Sequence, residues 1–487
     1  MRADRRVRPL AACALAALLV GCSLEPPRPG DGAAEGGVAL GSAEPQIAAD
    51  APALFMVRLS DGVATAARRP DAPSIPASTI KLATAIVARD ALAPGHRFVT
   101  RLCALSPPDE AGVVAGGLAL VGGGDPTADL DDWLTLAARA RAAGLRAVDG
   151  PYLADPGVVP NLPAIAPAQP ADAAYNPPIS GLMAAEGAHR LEWRADGRSW
   201  FVPDLGGTRS GDRRAAAAAA KDRRQAEGEV WLPVADPALS AARLFRMMAA
   251  PLGAALPAPR RGGLAAAGGA ACPVELARVE SARRDAVVQS VLESSSNPAA
   301  ELLGLAAARA RGESPTSLRA AAAGTAQHLR ARLPHVDWSG FLLPNHSGLS
   351  AEARITPRQM VALLAYAYAR PLGPDPAERP LPALLTPGGW AGALAERYDH
   401  PETAVRLWAK TGTMHYGVGL AGYVLGRDEE MYAFAAYVSD FKARAAYDRL
   451  AADPPDAAEA AARAWHRAAR AALDARLVEA VRRLAGS

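Results

Sequence analysis

Lysine is scarce in this chain. Only four occur among 53 lysines and arginines, and two of the four stand in short polar motifs, Ser78-Thr79-Ile80-Lys81 and Lys410-Thr411-Gly412-Thr413. Arginine keeps its proton in a protein, whereas a lysine that is desolvated or set near another cation can lose it. Lys81, three residues after a serine, is therefore a candidate base for a serine nucleophile. A third motif, Ser295-Ser296-Asn297, lies between the two in sequence. Each motif falls on a different kind of element. Ser78 precedes a helix whose apolar face is Ile80, Ala83, Ile86 and Val87. Ser295-Ser296-Asn297-Pro298 reads as the loop between two helices, with proline at the start of the second, and Lys410 lies on a strand. A fold that brings all three to one place must be mixed α/β (α+β) and assembled from distant parts of the chain.

The intervening sequence supports a discontinuous domain. Ala53 to Leu59 reads as a strand, and helical periodicity covers Ala286 to Ser294, Pro298 to Arg309, Leu318 to Leu333 and Pro357 to Tyr368. Val405 to Lys410, Gly419 to Leu425 and Met431 to Val438 read as strands, and Asp456 to Leu484 as helix. Between these lie strand-and-turn sequence over 98 to 130, a Pro/Ala-rich stretch over 151 to 178, and short strands over 187 to 235 around a charged insert at Arg213 to Arg224. The glycines of Gly122-Gly123-Gly124-Asp125-Pro126 mark a tight turn rather than a phosphate loop, because no Gly-Lys-Ser/Thr follows. The expected division is 46–101 and 273–487 for the two parts of the catalytic domain, with 102–272 as one or more small strand-rich inserted domains.

The amino terminus has the form of an export signal over residues 1–21, with Arg2, Arg5, Arg6 and Arg8 before the apolar run Leu10 to Val20. That run is too short for an ordinary membrane-spanning helix. Leu19-Val20-Gly21-Cys22 resembles the bacterial lipobox, so Cys22 is the expected lipidation site and residues 22–45, rich in Pro, Gly and Ala, a flexible tether. By likeness to other lipoproteins, Ser23 favours the outer membrane, which places the protein in the periplasm. Export permits disulfides. The remaining cysteines, Cys103 and Cys272, are either bridged or two small buried thiols, and spacing alone does not decide. The formal net charge of +3 falls to near neutral once the four leader arginines and Asp4 are removed, which argues against nucleic-acid binding. The eight histidines show no metal-ligand spacing, so no metal or other cofactor is expected.

Acyl transfer through a serine needs a base, an oxyanion site and a hold on the substrate. Ser78 supplies the hydroxyl, Lys81 the base, and Lys410 a positive charge that depresses Lys81 and attracts a carboxylate. Backbone N–H groups of Ser78 and Thr413 suit an oxyanion, and Gly412 leaves room for substrate to lie against its strand. The three motifs, in this order, are those of penicillin-binding proteins and β-lactamases.

Over residues 45 to about 440 the chain resembles the D-alanyl-D-alanine carboxypeptidase/endopeptidase family of low-molecular-mass, class C penicillin-binding proteins. The likeness runs through Pro76-Ala77-Ser78, Phe98-Val99-Thr100, Leu120-Val121-Gly122-Gly123-Gly124-Asp125-Pro126, Ser295-Ser296-Asn297-Pro298-Ala299-Ala300-Glu301, Ser347-Gly348-Leu349-Ser350, Lys410-Thr411-Gly412-Thr413 and Ala421-Gly422-Tyr423. It implies a penicillin-recognising, β-lactamase-like serine transpeptidase domain with two small domains inserted between the first and second motifs. It implies Ser78 as nucleophile, Lys81 as base, and Ser295 and Asn297 in proton transfer and substrate binding. Lys410, Thr411 and Thr413 would hold the terminal carboxylate and complete the oxyanion hole. Peptidoglycan stem peptides are the implied substrates and β-lactams the implied inhibitors. The chain departs from the family where Asn345-His346 replaces the usual Asp-Gly before Ser347, and where the usual asparagine is missing around Ala184 to Gly187. A class A β-lactamase would need a glutamate four residues before an asparagine between the second and third motifs; the single asparagine there, Asn345, has Phe341 in that place. An inactive, lipid-anchored peptidoglycan-binding protein is the non-enzyme alternative.

Overall fold

Two strands near the carboxyl end, β15 (Gly417–Leu425) and β16 (Met431–Ser439), are buried on both faces. Strands covered on both sides need helices above and below them. They form the centre of a six-stranded antiparallel sheet ordered β13 (Thr386–Pro387), β14 (Leu407–Met414), β15, β16, β1 (Ala53–Arg58) and β2 (Ala64–Arg68). The first strand thus pairs with the last, Ala53 opposite Tyr437. This computed structural model describes residues 47–48, 51–157, 159, 161–170, 172–194, 198–203, 227–264, 272–450 and 455–484. The expected signal segment, Cys22, its tether and the Arg213–Arg224 insert lie outside the described residues.

Side-chain alternation along the sheet sorts the core into two layers. Ala421, Tyr423, Ala433, Ala435 and Tyr437 face helices α1 (Lys81–Ala91) and α7 (Pro357–Ala369). Leu420, Val424, Phe434 and Ala436 face α9 (Asp456–Arg483) through Trp465, Ala469, Leu473 and Leu477. Around α1 stand α4 (Arg284–Ser294), α5 (Asn297–Ala310) and α6 (Leu318–Arg332), while the short α8 (Phe441–Asp448) precedes α9. Every residue from Lys81 to Arg89 is buried, as expected of a helix enclosed on all sides. Its carboxyl end is closed by the fully buried Arg284, whose guanidinium donates to the carbonyls of Arg89 and Leu92 at 3.1 and 2.8 Å. Asp285 and Glu378 pair with the same guanidinium at 2.8 and 3.0 Å, so the buried charge is compensated.

The inserted unit is wider than its sequence boundaries suggested. Its five-stranded sheet is ordered β11 (Arg260–Arg261), β7 (Tyr152–Asp155), β5 (Leu118–Val121), β3 (Val99–Ala104) and β12 (Val274–Glu280). Because β12 pairs with β3 from Val274↔Ala104 to Glu280↔Val99, the unit's sheet runs from Val99 to Glu280, and boundaries at 102 and 272 cut β3 and leave out the edge strand β12. A small parallel pair, β4 (Val113–Ala115) with β6 (Ala147–Asp149), and a three-stranded sheet of β10 (Gly228–Pro233), β8 (Ala188–Trp193) and β9 (Ser199–Val202) complete its strands among the described residues. The strand-rich unit also carries two helices beyond those expected, α2 (Leu130–Ala142) and α3 (Pro237–Ala249). Their buried faces, Trp133, Leu136, Ala137 and Ala140 in α2 and Ala238, Ala241, Ala242 and Phe245 in α3, pack on the sheet. The β14 strand likewise begins two residues later than expected and continues to Met414, because Val405 turns with a φ of 50°.

Two contacts tie the inserted unit together and to the catalytic part. Val159, Ile165, Ile179 and Met183 pack on Leu302 and Leu305 of α5 and Leu318 and Ala321 at the start of α6. Cys103 and Cys272 form a disulfide, joining β3 to the segment just before β12. The bridge closes a sequence separation of 169 residues, and such closure typically contributes about 2–4 kcal/mol. Cys272→Ser should therefore lower the melting temperature of the non-reduced protein, read by circular dichroism. A parallel melt of the reduced wild-type protein should reproduce the shift.

Candidate active site

Ser78 sits in a 3-10 turn, Ala77–Ile80, that runs straight into α1, so that Lys81 is the first residue of the helix. Ala77 takes a left-handed φ of 44°, a conformation costly to a side-chain-bearing residue and concentrated at functional sites. The turn is held by Thr79, whose hydroxyl donates to the Pro76 carbonyl at 2.7 Å and meets Tyr437 Oη at 3.2 Å.

Lys81 is 1% exposed. Its Nζ donates to Ser78 Oγ at 2.8 Å, Asn297 Oδ1 at 2.8 Å and the Ser347 carbonyl at 2.9 Å. Three acceptors match the three protons of an ammonium, and loss of one proton turns a lone pair toward the serine. Burial first, and then the nearby charge of Lys410, hold Lys81 well below the usual lysine range, against the opposing pull of Glu301 and Glu186. Lys410 is itself 4% exposed, and burial lowers it to about 7. Its Nζ donates to the Thr411 carbonyl at 3.2 Å. Among the described residues no group of three or more His, Cys, Asp or Glu is placed to hold a metal ion.

The second motif is positioned by adjoining helix ends. Ser295 ends α4 with a left-handed φ of 57°, and Ser296 Oγ caps α5 by accepting from Ala299 N at 3.2 Å. Asn297 then opens α5 with its amide oxygen on Lys81, while its Nδ2 donates to the Tyr175 carbonyl of the inserted unit at 3.0 Å. Among the described residues no hydrogen bond joins the Ser295 hydroxyl to Ser78, Lys81 or Lys410. Where the family's asparagine is missing, Glu186 faces Ser296 and Lys81; burial raises its carboxyl, and those two groups draw it back.

The third motif lies on β14, which β13 covers only at Trp408 and Ala409. From Lys410 onward that edge of the strand is unpaired among the described residues, with Thr411 half-buried and Thr413 exposed. An unpaired edge is a template for an extended peptide. Gly412 has a different reason from the expected one. A Cβ there would lie 2.4 Å from the Pro76 carbonyl and 3.0 Å from Thr79 N, so the glycine admits the turn that carries Ser78 rather than substrate.

Three contributors have no clear signal in the sequence. The Ser347 carbonyl carries no side-chain signature, and Glu301 and His346 act behind it. The Ser347-Gly348-Leu349-Ser350 run is recognisable as a motif, without showing that its backbone reaches Lys81.

Gly412→Ala should part the strand from the turn. Labelling of Ser78 by an acylating reagent should slow by about 100-fold, with the far-ultraviolet circular dichroism spectrum unchanged.

Comparison with known proteins agrees with this geometry. The D-Ala-D-Ala carboxypeptidase 3 (S13) family matches residues 37–453. A D-alanyl-D-alanine carboxypeptidase of Actinomadura sp. (strain R39) is 43% identical over 81 residues, 17% of this chain and 15% of that protein. A carboxypeptidase of Mycobacterium tuberculosis is 34% identical over 166 residues, 33% of this chain and 34% of that protein. The chain therefore aligns with about a third or less of the length of these two relatives. Penicillin binding protein 4 of Haemophilus influenzae superposes with a TM-score of 0.63 at 18% identity, covering 80% of this chain and 90% of that one. Its complex with a β-lactam gives 0.61 at 17% identity, with the same coverage. The fold is that of a penicillin-recognising serine peptidase carrying strand-rich insertions. Since the family match takes in both catalytic segments and the unit between them, the chain belongs to the D-Ala-D-Ala carboxypeptidase 3 (S13) family.

Proposed function

We propose that the protein is a serine DD-peptidase of peptidoglycan, removing the terminal D-alanine of stem peptides or cutting D-Ala–meso-diaminopimelate cross-links through an acyl-enzyme. The observation that carries this is the desolvated amine of Lys81 at 2.8 Å from Ser78 Oγ. Ser78 Oγ attacks the carbonyl carbon of the D-Ala–D-X amide as its proton passes to Lys81 Nζ. The oxyanion is received by backbone N–H groups of Ser78 and Thr413. The C–N bond breaks as the leaving amine takes a proton, and water then releases the acyl group from Ser78. Lys410 and the hydroxyls of Thr411 and Thr413 hold the terminal carboxylate, with the peptide against the free edge of β14. Asn297 and Ser295 line the opposite wall. Carboxypeptidase and endopeptidase reactions break the same kind of bond and differ in the leaving group.

A β-lactam presents the same amide in a ring, and the complex of the Haemophilus protein supports its use as a probe. Intact-mass analysis should show one penicillin adduct, absent in Ser78→Ala; an adduct persisting in that variant would sink the assignment. Lys81→Arg holds its proton at any accessible pH and should abolish acylation. Lys410→Arg should keep measurable acylation, and Lys410→Ala should lose far more. The pH dependence separates the two lysines. Lys410 is charged below about 7 and neutral above it, so acylation by an anionic penicillin should fall as pH rises through that range. Lys410→Arg keeps the charge and should remove this alkaline fall. Defined monomeric and cross-linked muropeptides then distinguish the two leaving groups.

The proposed setting is the periplasm, with the chain anchored to the outer membrane by lipid on Cys22. The lipobox-like Leu19-Val20-Gly21-Cys22 supports this. In the native host the wild-type protein should fractionate with membranes and Cys22→Ser should become soluble. A soluble wild-type protein would count decisively against the anchor.

A further inference from the structure

The carbonyl that receives Lys81 belongs to a loop with an unusual support. Glu301 of α5 and His346 of the loop are both 0% exposed. Glu301 Oε1 accepts from Ser347 N at 2.8 Å, and Oε2 accepts from His346 N at 3.1 Å while lying 3.2 Å from His346 Nδ1. The other ring nitrogen stands 3.2 Å from Thr325 Oγ1 of α6, and the His346 carbonyl accepts from Thr84 Oγ1 of α1 at 2.8 Å. Asn345 Oδ1 accepts from Gly348 N at 3.0 Å, completing the turn. Helix α5 is notched for the imidazole, because a Cβ on Gly304 would lie 2.2 Å from its ring.

Neutral groups suffice to hold a loop. A wholly buried carboxylate beside a wholly buried imidazole is costly, and it is poor evidence for stability alone. Its position suggests a further role. One carboxylate fixes both N–H groups that lead to the Ser347 carbonyl, and that carbonyl is one of three acceptors around the amine. We propose that Glu301 and His346 are positioning residues for Lys81, fixing the Ser347 carbonyl against Nζ and setting the field in which the amine exchanges its proton. This rests on the reading of Ser78 and Lys81 as nucleophile and base.

The charged groups facing Lys81 are Lys410 from β14, Glu301 from α5 and Glu186 from the inserted unit. Of the two carboxylates only Glu301 is fully enclosed. Burial works to raise Glu301, but the hydrogen bonds and charge of His346 and the bonds from Ser347 outweigh it and keep its carboxyl below the ordinary range. An ionised Glu301 favours the ammonium form of Lys81, and His346 sustains that pull by helping to keep Glu301 ionised.

The test is the second-order rate of penicillin acylation as a function of pH, in variants that leave Lys410 and Glu186 in place. Glu301→Gln removes the negative charge, so Lys81 should release its proton more readily and the acid limb should move down by about one pH unit. His346→Asn removes the ring that helps keep Glu301 ionised, so the limb should also move down, by less than in Glu301→Gln. Thr84→Val loosens the loop without changing any charge and should lower the rate with the limb in place. Glu301→Asp keeps the charge and should leave the limb near its wild-type position. A purely structural pair would scale all rates and move no limb. Limbs unmoved, or moved up, in folded Glu301→Gln and His346→Asn overturn the inference. If Glu301→Gln does not fold, an unmoved limb in His346→Asn overturns it alone. A wild-type protein that penicillin does not acylate would instead overturn the peptidase reading, and this inference with it.

Discussion

The structure depends on keeping one amine dry. An ammonium moved out of water costs several kcal/mol unless its surroundings replace the lost hydration, and Lys81 meets this demand with one acceptor nearby in the chain and two from distant parts of it. Ser78 comes from the turn before its own helix, Asn297 from the start of another, and Ser347 from a loop. Only an arrangement with α1 at the centre of the domain satisfies all three while excluding solvent. The two-sided sheet, the surrounding helices and the Arg284 closure of the far end of α1 serve that enclosure.

Enclosure alone would leave the amine's proton at the mercy of whatever lies nearby. Here the surroundings pull in opposite directions: the lysine on β14 disfavours a second positive charge, and the carboxylates on α5 and in the inserted unit favour it. Lys410 is under a similar pressure, since it is almost fully buried and holds its charge only marginally at neutral pH. An arriving carboxylate would restore that charge. In the proposed reaction, substrate binding and activation of the nucleophile are thereby linked through two lysines on adjacent elements.

Much of this is legible in the order of residues. The helices at 284–294, 297–310, 318–332, 357–369 and 456–483 follow apolar periodicities that packing preserves. Ser78, Lys81 and Asn297 meet as the motifs imply. What stays hidden is long-range or lies in the backbone. Lys81 and Asn297 are 216 residues apart, and β12 is recognisable as the partner of β3 only once both are placed. A carbonyl such as that of Ser347 has no letter in the sequence. Gly412 is legible as a point of close approach, but the neighbours are Pro76 and Thr79. In α2 and α3 the apolar residues do recur at helical spacing, and a strand-and-turn reading of the surrounding sequence passes over them.

The side-chain amide of Asn297 has two ends with different owners. Its oxygen serves the amine, and its nitrogen is oriented by a carbonyl from the inserted unit. Rotating the amide by half a turn would point two N–H groups at Lys81, so the Tyr175 carbonyl acts as a latch on the polarity of the catalytic wall. The inserted unit is therefore no detachable ornament. A chain trimmed of residues 99–280 would keep all three motifs and still lose the partner that tells Asn297 which way to face.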